Sequence, residues 1–332
     1  MKILKYKKVL FFLVACAAVY FTLITLMSTG YINNFYQGLL ITIFINIILV
    51  ASLNLTMGFL GQLALGHAGF MAVGAYTSAL IIEQFRNIFG DDINYIFFDL
   101  GFFQLPIHLM WFGIIFGGLV AVVFGVIIGV PTLRLHGDYL AIVTLAFNEI
   151  IKSVLNVLPF TGGAKGMLGI PKYTTFNVSF IACVICLSSI FLLIKSRHGR
   201  AIISIREDEI AAEASGINTV YYKLFAFCFS AFFAGVAGSL YAHYFTYLSP
   251  SDFDFNKSIE IAIMTVFGGL SNLYGSIVSA TVLTALPQIL IPLQKWRMLI
   301  YSVILILFMV LRANGTLDLM KLKLKRNNKK EV

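Results

Sequence analysis

Few residues in this chain have the types and spacing that catalysis or metal binding needs. Cys183 and Cys186 form a C-x-x-C pair, but no second pair or neighbouring histidine completes a metal site. Small side chains packed in apolar sequence are the expected role of all four cysteines, Cys16 and Cys228 included. Gly162-Gly163-Ala164-Lys165-Gly166 sets a lysine among glycines without the G-x-x-x-x-G-K-[ST] spacing that cradles phosphate. With no clustered carboxylates and no nucleophile–base pair, no catalytic residue, metal or bound cofactor is expected. What remains is a set of polar residues in apolar surroundings: Gln62, His67, Asn148, Glu149, Glu260, Ser271 and Asn272. Such residues inside a membrane mark transport paths. Each also has a plainer role: Glu149 can pair with Lys152 at i, i+3, Glu260 lies near Lys257, and His67 can be a packed, hydrogen-bonded histidine.

A second constellation is charged. Residues 195–223 hold Lys195, Arg197, Arg200, Arg206, Glu207, Asp208, Glu209, Glu213 and Lys223 between long apolar segments. Ser204-Ile205-Arg206-Glu207 fits a capping box, Glu207 and Asp208 complement a helix N-terminus, and Gly216 supplies a left-handed stop. Together these predict one short helix near 205–215. Ala211, Ala212, Ala214 and Ser215 allow close approach, with Ile205 and Ile210 as apolar contacts. The loop reads as an element for a soluble partner to grip, although an ordinary surface helix would carry the same caps.

The elements that must position these groups are membrane helices. The 332 residues are 59% hydrophobic and 12% charged, where soluble proteins carry roughly 25% charged residues. The apolar segments lack the alternation of barrel strands, so the fold class is an all-α polytopic bundle. About ten spans are expected, near 9–28, 37–56, 64–84, 107–130, 139–158, 176–195, 223–245, 258–270, 275–293 and 297–312. The segment 258–270 is short for a crossing. The first span is read as uncleaved, despite the cleavage-box look of Leu13-Val14-Ala15-Cys16. The chain thus reads as a single membrane domain over 1–332, spanning within 9–312.

Lysines 2, 5, 7 and 8, together with Arg312 and the basic tail 313–332, carry the net charge of +9, which places both termini in the cytoplasm. These tails read as topology determinants and not as a nucleic-acid site. The loop 196–222 then falls inside, and the loop with Glu83, Asp91, Asp92 and Asp99 outside. Five spans per half would allow an inverted repeat of five plus five, in which Gly-interrupted segments at matching positions mark the route. Gly58, Gly61, Gly66, Gly69 and Gly74 break the third span, and Gly268, Gly269 and Gly275 the eighth. Close helix packing through small residues would use glycines in the same way.

Several stretches resemble a known family. The run from Gly199-Arg200-Ala201 through Arg206-Glu207-Asp208-Glu209-Ile210-Ala211-Ala212-Glu213-Ala214-Ser215-Gly216-Ile217-Asn218 is similar to the coupling loop of branched-chain amino acid ABC importer permeases of LivM type. GFLGQLALGHAGFMAVGAYTSAL (58–80), RLHGDYLAIVTLAFNEI (134–150), TGGAKGM (161–167) and SPSDFDFNKSIEIAIMTVFGGLSNLYGS (249–276) resemble it too. Ala64 stands where that pattern often has Ser, and His136 where a second Arg is usual.

The resemblance implies a multi-pass subunit of a bacterial cell membrane. Its partners would be a second, LivH-like permease, two cytosolic ATPase subunits that use the ATP, and an extracytoplasmic solute-binding protein. It implies ATPase contact through Arg206, Asp208, Glu209, Glu213 and Gly216, a substrate path past Gln62, His67, Ser271 and Asn272, and an outer entrance at Gly162 and Gly163. Leucine, isoleucine and valine are the expected solutes, with urea or short amides as the alternative. An ion-coupled secondary transporter is a more distant reading, since only Glu149 and Glu260 supply embedded carboxylates.

Overall fold

The computed structural model describes residues 17–30, 33–90, 95–99, 104–133 and 137–291, with Trp296, Ser302, Val303, Ile306 and Val310. The basic N-terminal residues, Cys16, Asp91, Asp92, His136, the tail 313–332 and most of the expected span at 297–312 lie outside these. The chain divides between Thr281 and Val282 into two compact units.

In hydrocarbon, only a helix or a closed barrel satisfies every peptide group, and each long apolar run among the described residues is helical. α1 (Ala17–Ser28) is followed by α2 (Asn34–Asn54), which continues into a π turn at Leu55–Phe59. Then come α3 (His67–Phe89), α4 (Leu109–Thr132), α5 (Asp138–Val157), α6 (Phe176–Ile194), α7 (Arg197–Glu207), α8 (Glu209–Ala214) and α9 (Thr219–Phe245). α10 (Phe255–Gly268) and α11 (Leu273–Ile289) complete the described helices. Among the described residues, five stretches are long and apolar enough to cross a membrane: 34–59, 109–132, 139–157, 176–194 and 219–245. The chain is a multi-pass, helical membrane protein.

Its few strands are short. β1 (Tyr95–Asp99) pairs antiparallel with β2 (Gln104–His108), and β3 (Met167–Leu168) with β4 (Tyr247–Leu248). His108 caps α4 by accepting from Met110 N at 3.2 Å. Burial lowers its imidazole pKa, which favours the neutral ring.

The centre of the first unit is α3, α4 and α9, with α2 packed on α6 and α9. Glycine makes this crossing possible. A Cβ on Gly238 would lie 1.9 Å from Met71 O, and one on Gly74 2.2 Å from Gly235 O. Ser239 Oγ lies 3.3 Å from Gly74 O and 3.4 Å from Gly113 O, a hydroxyl that links three backbones.

Two helices begin part-way along α5. Leu65 N donates to Thr144 Oγ1 at 3.0 Å just before α3 starts. α10 starts where Asn148 Nδ2 donates to Phe253 O at 3.3 Å and Phe255 N donates to Glu149 Oε1 at 3.1 Å. Ala68 N donates to Ser258 Oγ at 3.2 Å, so the two starts adjoin. With 14 residues, α10 extends about 21 Å, short of the ~30 Å hydrocarbon thickness. The segment expected to cross at 258–270 is therefore a part-length helix, preceded by the turn Ser249–Asp254. That turn is fixed by a capping box between Ser249 and Asp252.

Candidate functional site

The charged loop is two helices, where one was expected near 205–215. α7 ends at Glu207, and Asp208 takes an extended conformation (φ −158°, ψ 111°) that turns the chain. Asp208 then caps α8, accepting from Ala211 N at 3.0 Å. The Ser204 capping box does not form. Ser204 Oγ donates backwards to Ala201 O at 2.8 Å, because this residue lies inside a helix already started by Ser196, which accepts from Gly199 N at 3.2 Å. Gly216 does end α8 in the left-handed region, at φ 81°.

This elbow is seated on an apolar base. Ile202, Ile205 and Ala212 are buried with Leu55, Phe59, Leu60, Leu193 and Ala226. Ile210 is 81% exposed on the other side, with Glu207, Asp208, Ala211, Glu213 and Ala214 also exposed. Of the two isoleucines expected as outward contacts, Ile205 faces inward. Several charges also reach inward. Glu209 Oε1 accepts from Lys223 Nζ at 2.5 Å, and that lysine is 3% exposed. Glu213 Oε1 accepts from Thr219 Oγ1 at 2.7 Å. These bonds bind the elbow to the start of α9.

Arg206 reaches furthest. Its Nη1 donates to Ser271 Oγ, whose own proton goes to Gly58 O at 2.8 Å. Ser271 N donates to Asn54 Oδ1 at 3.0 Å, and Asn54 Nδ2 donates to Asn272 O at 3.2 Å and Ser276 Oγ at 2.7 Å. One serine thus joins the elbow, the π turn of α2 and the α10–α11 junction. Two glycines make room for it. A Cβ on Gly58 would lie 2.4 Å from Ser271 N, and one on Gly61 2.8 Å from Arg206 Cγ.

Ser271 itself stands at φ 63°, a region costly for most L-residues. Asn54, fully buried at the centre of this knot, was not anticipated from sequence. An asparagine inside an otherwise apolar stretch, four residues before a glycine, was the signal available.

The expected path residues are dispersed. Ser271 and Asn272 belong to the knot, with Asn272 Oδ1 accepting from Gly275 N at 3.2 Å. His67 is 4% exposed, with Nε2 2.9 Å from Ser52 Oγ. Gln62 lines a polar cleft of about 440 Å³ together with Arg206, Glu207, Asp208, Glu209 and Lys223. Its Oε1 is buried without a hydrogen-bond partner among the described residues.

Gly162 and Gly163 form a tight turn, at φ 81° and 56°. A Cβ on Gly162 would lie 2.2 Å from Gly166 O. The turn is tied to the end of α9 through β3–β4 and Tyr247 OH, which donates to Lys165 O at 3.1 Å. The 27 residues of α9 place about 40 Å between the elbow and this turn.

The family described as "Branched-chain amino acid transport system / permease component" matches residues 35–311. The chain is similar to the high-affinity branched-chain amino acid transport system permease protein LivM of Escherichia coli K12. The two are 33% identical over 320 residues, covering 86% of this chain and 70% of that protein. LivM of Salmonella typhimurium is 33% identical over 316 residues, 85% and 69% of the two chains. The nucleoside ABC transporter permease protein NupC of Lactococcus lactis is 24% identical over 202 residues, 55% and 59%. No solved structure matches.

Proposed function

The chain belongs to the family of permease components of branched-chain amino acid transport systems, and from that premise we propose that it is one permease subunit of an ATP-driven importer of leucine, isoleucine and valine. A second permease would complete the translocation path, two cytosolic ATPases would bind and hydrolyse ATP, and an outer solute-binding protein would deliver substrate. Ten crossings, in two inverted halves of five, would put both termini and the elbow on the cytosolic side and the Gly162–Gly163 turn outside.

One observation carries the coupling role. The elbow presents Ile210, Glu207 and Asp208 to solvent, while Arg206 ties its underside to the broken segments of the bundle. A push on α8 therefore has a bonded route to Ser271 and Asn54, along helices that move as rigid bodies. ATP hydrolysis belongs to the partner ATPases, because the chain has no phosphate loop of its own.

The test is uptake by vesicles holding the assembled complex. Wild type accumulates labelled leucine with ATP and binding protein. Ile210→Asp and Glu213→Arg lose ATPase co-purification and uptake together. Full uptake in both variants removes the coupling assignment. Competition with urea and with a nucleoside decides the solute class.

A further inference from the structure

We infer that the polar cleft beside the elbow is a binding site for a free aliphatic amino acid arriving from the cytosolic face. Glu207 and Gln62 Oε1 take its ammonium, Arg206 takes its carboxylate, and Leu60, Leu63, Leu140 and Ile205 take its side chain. This rests on the importer reading above and adds a place where imported solute acts back on the elbow.

Enclosure is the first argument. The cleft is walled by separate stretches of chain: residues 60–63 after the π turn, the start of α5 at Gly137 and Leu140, the end of α7, the start of α8, and Lys223 of α9. Its volume of about 440 Å³ is within the roughly 300–1,000 Å³ of small-molecule sites. Gln62 N donates to Thr56 O at 3.0 Å, which fixes the segment that carries it. A Cβ on Gly61 would lie 2.8 Å from Arg206 Cγ. Gln62 is therefore held next to the Arg206 stem, on the same cleft.

Unused bonding capacity is the second. Lys223 and Glu209 answer each other, and Asp208 Oδ1 is occupied by Ala211 N. The remaining groups are open. Glu207 is exposed and has no ion-pair partner among the described residues. Arg206 gives Nη1 to Ser271 Oγ, which leaves other N–H groups of its five for a carboxylate. Gln62 Oε1 is buried without a donor among the described residues. A buried acceptor left unmet is costly, and a ligand ammonium supplies the missing N–H.

The chemistry of the lining selects the ligand. Three acids against two bases disfavour a free anion such as phosphate. No group of three His, Cys, Asp or Glu side chains among the described residues could hold a metal ion. Leu60, Leu140 and Ile205 are each 5% exposed or less, while Leu63, 36% exposed, stands nearer solvent. Both charges beside branched aliphatics match a zwitterion with an apolar side chain, and urea has no charge to answer Arg206 or Glu207. Occupancy has a mechanical consequence. A ligand bonded to Gln62 and to Glu207 ties the elbow to the bundle and favours the arrangement in which the two are adjacent.

The test uses the assembled permease–ATPase complex in vesicles, with the ATPases outward and the solute-binding protein inside. Leucine added outside is expected to slow ATP hydrolysis several-fold. Leucinamide and 4-methylpentanoate, which each lack one of the two charges, are expected to leave it unchanged at the same concentration. Gln62→Leu and Leu63→Trp are each expected to raise the half-inhibiting leucine concentration at least tenfold. Leu63→Cys is expected to react with a charged thiosulfonate several-fold more slowly when leucine is present. Equal inhibition in wild type and both variants overturns the site, as does inhibition by either analogue equal to that by leucine. So does a Leu63→Cys thiol shielded by the ATPase with or without leucine, since a partner side chain then fills the cleft. A wild-type complex that moves no leucine overturns the importer reading; one that moves leucine but ignores it on the ATPase side overturns this site alone. Should the Gln62→Leu or Leu63→Trp complex fail to assemble, the two analogues and the Leu63→Cys labelling still decide.

Discussion

Arg206 and Ser271 meet across 65 residues of chain, the guanidinium donating to a hydroxyl that passes its own proton to Gly58 O. A hydroxyl has one proton and accepts through its lone pairs, so Ser271 uses both abilities to bridge an outer element and an inner one. Ser271→Gly keeps the positive φ and removes the bridge. It should leave the bundle folded and reduce uptake more than ATP hydrolysis, with the Arg206→Gln double variant no worse than the more affected single. Ser271→Val sets a β-branched side chain at that positive φ, where it is more strained than serine, and should lower the melting temperature as well.

The Glu209–Lys223 pair should respond unequally to its two removals. Lys223 is nearly fully buried, while the Glu209 side chain is 33% exposed. Glu209→Gln strands a buried ammonium, at a cost of about 3–5 kcal/mol. Lys223→Met leaves a carboxylate that water can reach and should cost clearly less. Thermal unfolding of the two purified variants checks the order.

The elbow depends on its cap. Asp208→Ala removes the bond to Ala211 N and should destabilise α8 by about 1 kcal/mol, while Asp208→Asn should hold most of it. Limited proteolysis after α7 reads the difference, with faster cleavage in the alanine variant only.

At the helix crossing, Gly238→Ala would force a methyl to 1.9 Å from Met71 O, a backbone atom that cannot swing aside. Overpacking of this kind costs about 1–3 kcal/mol or more. The variant should lose monodispersity in detergent, whereas Gly216→Ala, where nothing lies within 4 Å, should show only the strain of its positive φ.

Much of the fold was legible in the residues. Apolar runs of crossing length dictate helices because hydrocarbon offers the backbone no other partner, and Gly216 announced its turn through the φ it alone tolerates cheaply. The Ser204 box misled because the same four residues cap a helix or lie inside one, and only the earlier cap at Ser196 settles which. Ile205 and Ile210 look alike in sequence. Which of them faces the bundle depends on the break at Asp208.

What the sequence by itself determined is the class: a multi-pass helical protein with a charged loop between spans and no nucleotide motif of its own. Tertiary structure decided that Arg206 meets Ser271, that Asn54 sits at their centre, and that α10 starts half-way along α5. The physical reason is range. Local rules act over a turn or two of helix, whereas these contacts join residues 65 to more than 200 positions apart, and are set by how closely glycine lets the helices approach.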